Sequence, residues 1–374
     1  MTEARPAEHD GAPLNRAAAR GQGGDTSCFA ALDLGTNNCR LLIAAPAQQG
    51  FRVVEAFSRI VRLGEGLTHS GRLDDEAMAR ALAALRVCAE KIRRRRPARL
   101  RAVATQACRS ASNGAEFIER VESETGLKLK VISPREEARL SVVGCASLLD
   151  LNQAAALVVD VGGGSTELSF LDLRPGDVPE ASRWRPGRHP PPIFAWLSAP
   201  LGVVSLAERF PEPEGGGLDW YRAMVEHVKA ELVDFRHADP LRPLFENGEA
   251  HLVGTSGAIT SLAGLHLGLP RYERSKVDGL WLTEQDCRRT ADRLLGLTRQ
   301  ERAAEPCIGP DRADLVLAGA AILQGVQEIW PCQRVRVADR GLREGLLLSL
   351  IAERGRSAQR RRRRRRRSSA AVAA

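Results

Sequence analysis

No apolar run in the 374-residue chain approaches the roughly 20 residues needed to cross a bilayer. The opening stretch, MTEARPAEHDGAPLNRAAARGQGG, has no signal-peptide core. A membrane protein is therefore not expected, and a cytoplasmic one is. The eight cysteines, at 28, 39, 88, 108, 145, 287, 307 and 332, form no CxxC pair, which argues against zinc clusters and a disulfide framework and leaves them as buried thiols. Net charge is also scarce once its position is considered. The total of +9 falls to +1 when the eight consecutive arginines Arg360 to Arg367 are set aside, so the body of the chain gives no footing to a general nucleic-acid-binding role. With 43% apolar and 27% charged residues, the remainder reads as a soluble globular protein of about two domains.

The chain is organised around Leu157 to Phe170, LVVDVGGGSTELSF. Leu157, Val158, Val159 and Val161 are strand formers around a single acid, Asp160, and Gly162, Gly163 and Gly164 follow. Without Cβ atoms, consecutive glycines can turn tightly and present backbone N–H groups to an anion, while Ser165 and Thr166 add hydroxyls. A second strand, Thr166 to Leu171, leaves the turn. Rossmann and Walker glycine loops open a helix instead, so a hairpin gripping phosphate is the better fit. A plain β-turn would leave Asp160 and Glu167 as unpaired acids in an apolar hairpin.

Residues 1–26 lack periodicity and read as a disordered leader. Phe29 to Ala45, FAALDLGTNNCRLLIAA, repeats the hairpin plan: a strand, Asp33, Gly35, the polar turn Thr36-Asn37-Asn38, and another strand. Two such hairpins predict two similar halves facing each other across a phosphate-filled cleft. After a third strand near Phe51 to Arg59, Asp74 and Asp75 cap a helix with Met78, Leu82, Leu85, Ala89 and Ile92 on one face. The helix dipole is a sufficient account of Arg93 to Arg96 at its end. A strand from Leu100 to Thr105 runs into Arg109, and a helix from about Gly114 is capped by Ser112 or Asn113. Ser133-Pro134 opens another helix with Glu136 and Glu137 in its first turn, where acids are favourable on electrostatic grounds alone. Arg174 to Pro192 reads as a surface loop. Further on, Ala250 to Leu262 reads as a strand, the turn Gly254-Thr255-Ser256-Gly257 and a helix, a third and weaker phosphate loop. An apolar helix from Asp311 to Ile329, a strand at Val335 to Ala338 and a final helix to about Glu353 complete the pattern.

Six motifs in this order, ALDLGTNNCRLLIA, ATQACRSASN, EEARL, VVDVGGGSTEL, GTSGAITSLAG and DRGLREG, resemble those of the Ppx/GppA phosphatases, which are exopolyphosphatases and guanosine pentaphosphate phosphohydrolases. The resemblance spans about residues 28–354. It implies an α/β, actin-like fold of two ribonuclease-H-like domains with the active site in the cleft between them. Domain I is then 27–135, domain II 136–354 with its final helix free to pack back on domain I, and 355–374 a disordered arginine-rich tail. By the same resemblance Glu137 is the catalytic base and Arg109 a phosphate contact. Asp160 and Glu167 hold Mg2+ or the attacking water. Gly162, Gly163, Gly164 and Ser165 form the main phosphate loop, Asp33, Gly35, Thr36 and Asn37 the first, and Gly254, Ser256 and Gly257 the third. This chain departs from the family in having Ser133-Pro134 where Ser-Gly is usual, and in lacking the helical C-terminal extension of longer members.

The activity implied is Mg2+-dependent removal of terminal phosphate from inorganic polyphosphate, with guanosine pentaphosphate as the alternative substrate. An actin-like ATPase or kinase, and a non-catalytic alarmone- or RNA-binding regulator, are further readings against which Glu137, Arg109 and Asp160 weigh. The tail Arg360 to Arg367 can contact polyanions or be a solvated charge run. No membrane partner is expected, and the family is compatible with a homodimer.

Overall fold

The structure is a computed structural model that describes residues 28–48, 50–175, 184–186 and 189–354. The expected leader and tail, and parts of the loop after Arg174, lie outside the described residues.

Eleven strands among these residues form two sheets. β1 (Phe29–Leu34), β2 (Asn38–Pro46), β3 (Phe51–Ile60), β4 (Arg99–Ala104) and β5 (Lys130–Val131) lie in the order β3-β2-β1-β4-β5. The second sheet holds β6 (Ala155–Val161), β7 (Thr166–Asp172), β8 (Ile193–Ala199), β9 (Ala250–Thr255), β10 (Trp281–Thr283) and β11 (Arg334–Ala338), ordered β10-β11-β9-β6-β7-β8. Read from β8, it repeats the plan of the first. Three antiparallel strands follow one another in the chain, the first of them pairs in parallel with a fourth, and that with a fifth. β10 is an added edge. This is the ribonuclease-H-like order twice over, the α/β actin-like architecture expected from the sequence.

Local chemistry explains most boundaries. Asp74 accepts from the amides of Glu76 and Ala77 at 2.9 and 3.1 Å, starting the helix Asp75–Arg95. Its basic end has more than the dipole to hold it: Glu55 on β3 receives Lys91, Arg94 and Arg95 at 2.6 to 2.8 Å. Asn113 stands at the N-cap of the helix Gly114–Thr125, yet its side chain does not cap it. The amide instead bridges the backbone N–H and C=O of Leu73, at 2.8 and 3.0 Å.

Two helices exchange sheets. The helix Pro134–Cys145, opened by a hydrogen bond from the Glu136 amide to Ser133 Oγ, lays Val142 and Cys145 on Ala156, Val158 and Val253 of the second sheet. The expected domain divide at 135/136 falls in its first turn. The final helix, 342–354, packs Leu342, Leu346, Leu347 and Leu350 against Phe29, Ala31, Leu42 and Val103 of the first sheet. Each such leucine contributes about 1.5–3 kcal/mol by burial, so the helix is firmly docked. The two helices cross at glycines. A Cβ on Gly144 would overlap the carbonyl of Gly341, and one on Gly345 would overlap that of Leu140.

Candidate active site

The turns of the two hairpins meet. A Cβ built on Gly163 would come within 3.0 Å of the Thr36 side chain and 3.1 Å of Asn37, and one on Gly164 would overlap Gln106 Oε1. Close approach, rather than a left-handed backbone, is what demands glycine here, since neither residue has a positive φ. Thr36 Oγ1 donates to Gln106 Oε1 at 3.1 Å, and a cavity of about 190 Å³ opens beside the turns, lined in part by Gln106 and Gly163. The amides of Gly163, Gly164 and Ser165 donate to no group among the described residues, which leaves them available to an anion.

Two bridges hold the halves together near this point. Arg62 reaches Asp314 with both terminal nitrogens, at 2.9 and 3.1 Å, and the Asp311 carbonyl at 3.1 Å. The Gly66 amide donates to Glu208 Oε1 at 2.8 Å.

The acids converge from different elements. Glu136 and Glu137 are adjacent but face opposite ways. Glu136 pairs outward with Arg101 at 2.6 Å, whereas Glu137 is 8% exposed and accepts from Arg109 Nη1 at 3.1 Å. The same nitrogen donates to the Ile132 carbonyl at 2.8 Å, which fixes the guanidinium. Burial, and next the charge of Glu167, push the Glu137 carboxyl well above its ordinary range, against the pull of Arg109. Asp160 accepts from Ser141 Oγ, and burial raises its carboxyl too. Glu167 Oε1 accepts from Ser165 and Ser198, both at 2.8 Å, yet burial and Asp160 hold this acid at about 7. Asp33 is lifted to about 6 by burial, with Arg40 opposing, and its Oδ1 is buried with no partner.

Strand register relates these groups. Asp160 stands opposite Glu167 in the second hairpin, and in the first the residue opposite Asp33 is Arg40. Arg40, Ser141 and Ser198 are not evident as site residues from motif spacing alone. Ser141 carries a signal, however, being four residues beyond Glu137 and so on the same helical face.

The third loop is divided between two structures. Gly254 lies within β9, in register with Val159 and Val337, and its bare α-carbon makes room for Ile259. Ser256, at φ +148°, is held in a conformation that non-glycine residues rarely adopt, and its hydroxyl caps the helix Gly257–His266. Gly257 faces the Arg312 guanidinium, whose Cζ would be 3.6 Å from an added Cβ.

No group of three His, Cys, Asp or Glu among the described residues is arranged as a ready-made metal cage. The donor set nevertheless fits a hard cation. Mg2+ is usually held by one or two carboxylates, with phosphate oxygens and water completing the shell. An orphaned carboxylate oxygen on Asp33 beside the buried carboxyl of Asp160 is a cation's environment.

Comparison with known proteins agrees with this geometry. The family model described as the Ppx/GppA phosphatase family matches residues 42–354. Exopolyphosphatase 2 of Mycobacterium tuberculosis is 31% identical over 334 residues, covering 86% of this chain and 98% of the relative. Among solved structures, the Aquifex aeolicus Ppx/GppA family member is 28% identical with a TM-score of 0.69, covering 88% of this chain and 98% of its own. An exopolyphosphatase from Cytophaga hutchinsonii, 24% identical over 87% of this chain and 98% of its own, superposes with a TM-score of 0.74 and bears on the fold.

Proposed function

This chain belongs to the Ppx/GppA phosphatase family, and from that membership and the cleft just described we propose that it is an exopolyphosphatase, releasing terminal orthophosphate from inorganic polyphosphate. The observation that carries the reading is the convergence of an inward-facing, buried Glu137 held by Arg109 with three undonated amides, those of Gly163, Gly164 and Ser165.

In this reading the terminal phosphate sits between the two turns. The free amides of Gly163, Gly164 and Ser165, together with those of Thr36 and Asn37, bind its oxygens, and Arg109 neutralises charge that grows on them in the transition state. A raised pKa suits Glu137 to accept a proton near neutral pH. It orients a water and takes its proton as the water oxygen bonds to phosphorus. The bond from phosphorus to the bridging oxygen breaks, and the shortened chain leaves with that oxygen. Asp160 and Glu167, oriented by Ser141 and by Ser165 and Ser198, would hold Mg2+ together with Asp33. An ionised Asp33 repels phosphate and so serves better as a cation ligand than as a direct phosphate contact. Bound Mg2+ would supply positive charge to the phosphoryl oxygens.

A cytoplasmic location, a homodimer and a polyanion contact through Arg360 to Arg367 are part of the same proposal, the last outside the described residues. The test is phosphate release by the pure protein from polyphosphates of several lengths and from guanosine pentaphosphate, with Mg2+. Faster release from polyphosphate supports the reading. Preference for the nucleotide would shift the assignment to the other activity of the family, and inertness towards both would overturn it.

A further inference from the structure

The cavity of about 190 Å³ beside the turns leads from the phosphate amides to solvent. Its inner end is lined by the buried Thr36 and Gly164, with Gly163 and Gln106 partly covered, and its outer end by Thr68, Ser110 and Pro200, all exposed. Leu67 and Val204, one from each half, give it apolar sides. A polar track runs along one wall: Thr36 Oγ1 donates to Gln106 Oε1 at 3.1 Å, and Gln106 Nε2 donates to Ser110 Oγ at 3.3 Å.

None of the described residues that line this cavity is charged. Every phosphate of a polymer is anionic, so a run of them laid here would have no countercharge. Glu208 makes the site poorer still for a polyanion. It stands one turn after Val204 on the helix Val203–Arg209, and its carboxylate accepts the Gly66 amide at 2.8 Å, next to Leu67 of the wall. A single small anion is a different case, because neutral hydroxyl and amide groups hold it weakly and let it go.

The cavity also adjoins the flank from which water attacks. In an in-line displacement the water approaches phosphorus opposite the bridging oxygen, so the new orthophosphate has the shortened chain on one side and the base on the other. It cannot leave past the chain unless the chain leaves first. Gln106 and Ser110 begin and end the five-residue helix that carries Arg109, the partner of Glu137. That helix is only about 7 Å long, which places the cavity beside the base.

We propose that this cavity is the exit for orthophosphate, by which the product leaves from the base's side of the turns while the shortened chain stays bound on the other. The inference rests on the exopolyphosphatase reading and adds to it how the product departs.

The test is to plug the mouth. Thr68→Trp and Ser110→Trp each set an indole at an exposed position on the outer end of the cavity, and His69→Trp, at an exposed neighbour that does not line it, is the control. Tm checks that each variant keeps the fold. With polyphosphate as substrate, the two plugged variants are expected to lower kcat at least about fivefold with KM within about twofold of the parent, and acid-quenched samples to show a burst of about one orthophosphate per site before the slower steady rate. The control is expected to match the parent. The unaltered protein gives a second measurement. Orthophosphate with its own passage inhibits while the chain is bound, so saturating polyphosphate should leave that inhibition in place. Purely competitive inhibition would overturn the separate exit. A rise in KM with kcat unchanged in the plugged variants would overturn it too, marking the cavity as a path for the polymer, and so would constants that do not move. If the unaltered protein releases no phosphate from polyphosphate, the functional reading falls, whereas normal hydrolysis with any of these contrary results removes the exit alone.

Discussion

Ser141 donates a hydrogen bond to Asp160 from the helical face that, one turn earlier, turns Glu137 towards Arg109. One helix thus positions both the proposed base and a proposed cation ligand, and a shift of that helix moves the two together. Ser141→Ala deletes the donor and leaves the helix intact. Its Mg2+ affinity, read by calorimetry without substrate, is expected to fall about tenfold, in the range typical of groups that orient metal ligands. Unchanged affinity would detach Ser141 from the site.

Glu137→Gln keeps shape and hydrogen bonding but removes the base, so kcat is expected to drop at least about a hundredfold while tripolyphosphate still binds. Turnover near that of the parent would move the role to another acid.

The same substitution has a stability signature. The folded protein holds Glu137 protonated above its ordinary value near 4.5, so ionising it in the fold is unfavourable. Stability associated with the neutral form is present at low pH and is lost as pH rises through the raised value. Without metal or substrate, Glu137→Gln is therefore expected to melt higher than the parent at pH 8, with the difference vanishing near pH 4. A difference that instead grows towards acid would contradict the raised value.

Arg109→Ala is expected to raise KM and lower kcat together, because the guanidinium proposed to meet phosphate also holds Glu137. Arg109→Lys should restore only part of either, since Ile132 and Glu137 already engage one guanidinium nitrogen and an ammonium has no second nitrogen to offer to phosphate. Full rescue by lysine would reduce the role to charge alone.

Gly144→Ala places a methyl into the carbonyl of Gly341 where the exchanged helices cross. Overpacking of this kind costs about 1–3 kcal/mol, and separation of the helices should lower kcat as well as Tm. A variant with the parent's Tm would show that the crossing yields freely.

Much of this was legible beforehand because it rests on short-range chemistry. Both hairpins, the Asp74 cap and the Ser133-Pro134 start follow from residues within a few positions of one another. What escaped depends on pairings that no local pattern encodes. Arg93 to Arg96 suggest a dipole effect until Glu55 arrives from another strand, and Asn113 resembles a cap until it is seen bonded to Leu73. Gly254 belongs to a strand because Ile259 needs its space, a packing fact invisible in a glycine-rich string. Arg40 was within reach, since counting outwards from the first turn sets it opposite Asp33. Arg312 was not, because only the grip of Arg62 across the halves brings its segment to the cleft.

The repeated sheet order carries a consequence for direction. The two halves share one strand order, and an unbranched polyphosphate reads the same from either end, so two halves alike in their side chains as well would give it no preferred direction. The hairpins break that degeneracy at one position, where the residue opposite the strand-end aspartate is basic in the first half and acidic in the second. The two rims of the cleft therefore differ in the charged groups they offer at equivalent positions. On the proposed reading, that difference gives a chain without a head or a tail one on entry, and brings the same carboxylate to its terminus.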